Sequence, residues 1–258
     1  LLCGSFSINA VAAGYVPDSV KGIVFDAGYY AANNADVVNA LGSSESSLYG
    51  HFANYGVKEG RQGSPVFSVS HYTKNNADLK AAFGTNYINA MNHFASHGIN
   101  ETRVSAPVSD VGTGFDAYIV VAGTNYCLTV SGTNVQLSAK KTSNNNQIWT
   151  LTRQSNGSYM ITNKATGKVL DLSGNSRSNG TNIGIYQSNN SNAQRWNFYK
   201  RSSGVYAIGS YSVTGKVLDV AGDTVSDLAV LKIKGVKNLS VAEFGNPNEM
   251  VCGENVVA

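Results

Sequence analysis

The sequence predicts a two-domain chain of the α plus β class, with short helical repeats first and an all-β barrel or sandwich after them. Three observations carry that expectation. Residues 25–107 hold a gapless internal repeat, a small polar stretch follows it, and three hairpin-like phrases run from residue 116 onward. At 258 residues the chain has room for two ordinary domains.

Composition narrows the classes further. Charged residues are 14% and hydrophobic residues 42%, with 27 Gly and 14 Tyr, which describes a polar, weakly charged surface on a folded chain, not disorder. A net charge of +3 without a Lys/Arg run longer than two gives no reason to expect nucleic acid as a partner. No apolar stretch approaches the roughly 18–20 residues of a membrane span.

Taken in order, residues 1–13 read as the remnant of a secretory signal. An apolar-leaning segment runs into Val11-Ala12-Ala13, a small-residue cleavage site, so the expected location is secreted or cell surface; a disordered N-terminus is the other reading. Three Cys make no disulfide framework. Cys3 would leave with the signal, and Cys127 and Cys252 either pair or are small buried apolar groups.

The repeat aligns residues 25–65 on 67–107 at an offset of 42, with identical pairs that include Tyr30/Tyr72, Asp36/Asp78, His51/His93 and Arg61/Arg103. Leu48, Phe52 and Tyr55, and again Tyr87, Met91 and Phe94, fall at helical spacing. Ser44 suits an N-cap, and Gly56 and Gly98 stand where a C-terminal cap calls for positive φ. One such unit cannot bury its apolar face alone, so the two copies should stack. The pattern resembles the short helical repeats of exported bacterial surface proteins, through Tyr29-Tyr30, Asp36, His51-Phe52 and Glu59-Gly60-Arg61; the second copy departs at Thr102, where Gly60 stood. That resemblance implies a surface or spacer role without chemistry.

A linker is expected over 108–115. Beyond it each hairpin phrase has a strand led by Tyr118, Tyr159 or Tyr206, a turn with Gly, and a second strand. Thr-Gly-Lys-Val-Leu-Asp occurs word for word at 166–171 and 214–219. Each of the chain's two Trp ends a Gln-x-Trp phrase, Gln147-Ile148-Trp149 and Gln194-Arg195-Trp196. Three such units over 116–235, with Leu128, Leu170-Asp171 and Leu218-Asp219 in phase, resemble the ricin-type β-trefoil lectin domain. The resemblance implies a β-trefoil fold and sugar binding. The Trp rings read as core. A third Gln-x-Trp is due near residue 241 and is missing, so the third lobe is expected to be degenerate or truncated, through a fragment, an altered reading frame or divergence, with 236–258 an unassigned tail.

A sugar site needs a carboxylate for neighbouring hydroxyls, a ring for the C–H face and side-chain amides. The resemblance places these groups in the middle lobe at Asp171, Tyr186, Asn192 and Gln194, with Ala193 where the family has Asn. The first lobe has Thr129 and Ser138 at the acid and ring positions, and the last has Asp219 with Lys234 at the ring position. Both are expected to be blind.

Signals for catalysis are weak. His93 and His97 sit at i, i+4 without the Glu of a metalloprotease helix, no phosphate or dinucleotide loop is present, and no paired carboxylates suggest a glycosidase. The expectation is therefore a non-catalytic module without cofactor or metal. Its partner would be a glycan, galactose-type or a cell-wall or plant polysaccharide. The alternatives are the targeting portion of a larger secreted glycoside hydrolase, or a structural surface protein without sugar affinity.

Overall fold

Two sequence periods give two kinds of structure. The structure, a computed structural model, describes residues 14–202, 204–222, 229–235 and 242–245, with side chains as far as Asp219. The expected signal remnant at 1–13 lies outside the described residues, as does Cys252; Cys127 is buried.

In the helical half, α1 (Lys21–Val24) leads into α2 (Ala27–Asn33), α3 (Ala35–Leu41) and α4 (Glu45–His51). The second copy repeats the last three as α5 (Val69–Asn75), α6 (Ala77–Phe83) and α7 (Tyr87–Ser96). Asp26 and Ser68 cap α2 and α5, and Ser44 caps α4 by accepting the Ser47 N–H at 3.2 Å, as expected. The positive-φ ends belong to Gly42 (78°) and Gly84 (55°), after α3 and α6. The expectation for Gly56 and Gly98 is thus corrected: neither has positive φ. A Cβ on Gly56 would stand 2.7 Å from the Tyr30 hydroxyl, and one on Gly98 would collide with that of Tyr72. These two glycines serve close approach, a different demand.

The polar residues shared by the copies build one clamp twice. Arg61 donates to both carboxylate oxygens of Asp36 (2.9 and 2.7 Å) and to Glu59, and Arg103 holds Asp78 (2.8 Å) and Glu101. The buried Tyr30 and Tyr72 hydroxyls meet Nδ1 of His51 and His93 at 2.9 and 3.0 Å. The two copies share one apolar cluster, which also takes in Tyr199, Ala207 and Val217 from the β half.

Among the described residues the β half has twelve strands. They are β1 (Phe115–Val121), β2 (Tyr126–Ser131), β3 (Asn134–Ala139), β4 (Ile148–Arg153), β5 (Tyr159–Asn163), β6 (Val169–Leu172), β7 (Thr181–Tyr186), β8 (Trp196–Ser202), β9 (Val205–Ser210), β10 (Lys216–Gly222), β11 (Ala229–Gly235) and β12 (Ala242–Gly245). Strands β1, β4, β5, β8, β9 and β12 pair in a closed antiparallel ring, which leaves the barrel without free edges. Hairpins β2–β3, β6–β7 and β10–β11 touch one another through β3–β7, β7–β11 and β11–β3. Three lobes of four strands result. The third is degenerate in sequence, since β12 pairs with β1 and β9 without a Gln-x-Trp before it.

Both Trp rings are core. Each is fully buried, and each indole N–H donates to the carbonyl of the Leu in its own lobe, Leu128 at 3.0 Å and Leu170 at 3.1 Å. Gly123, Gly167 and Gly215 all take the positive φ expected of the hairpin turns.

The helical half docks on lobe 3. Thr102, where the second copy departs from the Glu-Gly-Arg pattern, donates its hydroxyl to the Ser212 carbonyl at 2.8 Å, and Thr214 donates to the Glu101 carbonyl at 2.6 Å. Asp26 and Arg201 form an ion pair of 2.7 Å across the same junction. The connecting segment is fastened as well, for Ser109 N–H donates to the Phe198 carbonyl (2.7 Å) and Tyr159 donates to Asp110 (2.9 Å).

Candidate functional site

Hairpin β6–β7 turns Leu170, Leu172, Ile183 and Ile185 inward, all of them buried. Alternation then sends Asp171, Gly184 and Tyr186 to the outer face. The register sets Asp171 opposite Gly184 and Tyr186 opposite Val169, which makes Tyr186 the diagonal cross-strand neighbour of Asp171. Tyr186 is 61% exposed, and Asp171 is half-buried.

Gln194 plays another part than sugar contact. It is completely buried, its Nε2 donates to Asp171 Oδ2 at 3.0 Å and to the Gln187 carbonyl at 2.9 Å, and its Oε1 accepts the Asn189 N–H at 2.8 Å. Both ends of the amide are engaged inside the protein, so it aims the carboxylate and ties down the 187–189 turn. Asn192 opens the 3-10 turn that carries Gln194 and is exposed. Among the described residues no hydrogen bond joins its side chain to Asp171 or Tyr186. Burial raises the Asp171 pKa above the ordinary aspartate value, against the opposing pull of the Gln194 amide.

Sequence reasoning missed Gly184. A Cβ there would stand 2.6 Å from the Thr133 carbonyl of lobe 1, and Ile185 N–H donates to that same carbonyl at 2.9 Å. Glycine therefore lets the neighbouring lobe close in beside Asp171. The signal was available in the lobe alignment, where Gly184 stands at the register position of Gln136 and Lys232.

The other lobes differ at the same places. In lobe 1 Thr129 faces Gln136 and Cys127 faces Ser138. In lobe 3 Asp219 faces Lys232 and Val217 faces Lys234, the position assigned to Lys234 from sequence. Asp219 is only 6% exposed. Among the described residues no three His, Cys, Asp or Glu gather as a metal site, and no helix is long and apolar enough to cross a membrane.

The family described as ricin-type beta-trefoil lectin domain-like matches over residues 107–186 and 145–234. Among solved structures, the designed 3-fold symmetric protein ThreeFoil is 23% identical and covers 50% of this chain and 96% of its own, with a TM-score of 0.45. The Polyporus squamosus lectin bound to a human-type influenza-binding epitope is 21% identical, covering 52% of this chain and 50% of its own at TM-score 0.46. An exo-beta-1,3-galactanase from Clostridium thermocellum is 23% identical, with 58% and 32% covered at TM-score 0.44. This chain thus spans half of that lectin and about a third of that galactanase. No curated protein matches.

Proposed function

We propose, on the premise that the C-terminal half of this chain belongs to the ricin-type β-trefoil lectin-like family, that it binds carbohydrate through the outer face of lobe 2. The observation that carries the reading is the shared face of Asp171 and Tyr186, with the carboxylate aimed by a buried amide. An ionised Asp171 accepts hydrogen bonds from two neighbouring sugar hydroxyls, and the exposed Tyr186 ring covers the C–H face beside them. A galactose-type sugar, free or within a cell-wall or plant polysaccharide, fits that pairing. Asn192, on the exposed rim, supplies an amide to the far side of the ring.

Lobes 1 and 3 are read as empty of such a site. A single shallow site binds near the millimolar range, about −4 kcal/mol, so useful retention comes from many copies on one surface or parent chain. The module binds and does not catalyse, and it works outside the cell, in keeping with the signal-like residues at 1–13.

The test is retention on galactose resin together with a glycan array. Wild-type protein is retained, and Asp171→Ala, with unchanged circular dichroism, is not. Retention of that variant would place the site elsewhere.

A further inference from the structure

We propose that the helical repeats hold a second binding site, for a carboxylate-bearing saccharide unit, in a hollow of about 660 Å³ beside α5, α6 and the start of α7. The volume lies in the range of small-ligand pockets and is far more than a simple inorganic anion fills. Lys74 and Lys80 line it with His71, Ser70, Thr85 and Tyr87, and no carboxylate does. Both lysines are exposed, and among the described residues neither is paired with an Asp or Glu. The arginines of the repeats, by contrast, are each held by two carboxylates.

The internal repeat supplies the control. Copy 1 has the same helices, yet Ala32 and Val38 stand at the positions of Lys74 and Lys80, and Glu45 stands at that of Tyr87. The helical scaffold therefore does not require these cations, and copy 1 carries an acid in place of the ring. Each group in the hollow matches one part of a sugar acid. The two ammonium groups face the carboxylate. The Thr85 hydroxyl and the His71 ring, whose pKa is lowered by burial and by Lys74 so that it stays neutral near pH 7, hydrogen-bond ring hydroxyls. The half-buried Tyr87 ring offers an apolar wall.

Calorimetric titration of the full chain with trigalacturonate, and with a neutral galactose trimer as the comparison, tests the site. All titrations use the Asp171→Ala background, so lobe 2 cannot report. Trigalacturonate should bind, weaken several-fold between 50 and 300 mM salt (about the range over which exposed charges become screened), and weaken at least ten-fold in the Lys74→Gln/Lys80→Gln variant. Equal binding by that double variant, equal binding of the neutral trimer, or displacement by an equal concentration of inorganic phosphate would overturn the proposal. Because trefoil binding is measured separately on galactose resin, failure here leaves the lobe 2 reading standing, and the reverse holds too.

Discussion

Lobes 1 and 2 are built on the same internal wiring and differ on their outer faces. Gln147 repeats the bonds of Gln194 group for group. Its Nε2 donates to Thr129 (3.1 Å) and to the Ala139 carbonyl (2.9 Å), and its Oε1 accepts the Lys141 N–H at 2.7 Å. Both glutamines are buried, and both Trp rings reach the preceding Leu carbonyl. At the matching register positions, the buried Thr129 and the half-buried Gln136 and Ser138 stand where lobe 2 has Asp171, Gly184 and Tyr186. The residues that define the leaf are thus separate from those that would hold a ligand, and a lobe can lose the second set while keeping the first.

The largest expected effect tests the shared part. Trp149→Ala and Trp196→Ala should each destabilise the protein by about 3–5 kcal/mol, read as similar shifts in denaturant midpoint. A much smaller cost for one would break the equivalence of the two lobes. Next, Gly184→Ala should cost about 1–3 kcal/mol, since its methyl must displace the Thr133 carbonyl, whereas Gln136→Ala, at the matching place in lobe 1, should be near neutral by thermal melting.

The comparison can also be reversed. Installing Thr129→Asp, Gln136→Gly and Ser138→Tyr together should give lobe 1 galactose-resin retention in an Asp171→Ala background, because Gln147 is already placed to aim the new acid. A smaller effect separates charge from shape. On the proposed reading galactose is held by ionised Asp171, so retention should fall on acidification with a midpoint above about 3.9, the ordinary aspartate value, because burial raises this group. The sign for folding follows the same shift. A carboxyl whose folded pKa is raised favours the folded state at low pH, and that contribution fades as pH rises through the folded value. Retention that persists with a midpoint below 3.9 would remove Asp171 from the contact.

Much of the fold was legible because it is written in repeats. The 42-residue offset marked the helical copies, and the hairpins with their Gln-x-Trp phrases marked the lobes. What could not be read was which individual side chains from distant segments meet. Gly56 and Gly98 carried a cap signal, but their neighbours are Tyr hydroxyls contributed from 26 residues earlier in the chain. Gln194 looked like a ligand group because an amide is chemically able to be one; only burial and three internal bonds reassign it. Thr102 looked like a blemish in the repeat, and it is the residue that reaches lobe 3. The lysine-lined hollow escaped notice because its lining comes from separate helices and loops that no linear motif joins.

The approach of Thr133 to Gly184 means that the face of lobe 2 proposed to hold sugar is finished by its neighbour. An excised lobe 2, with every residue of its own intact, would lack part of the wall beside its acid. Transplanting this face accordingly requires lobe 1 together with lobe 2, and moving lobe 2 alone would carry its own residues across without the Thr133 carbonyl beside Gly184.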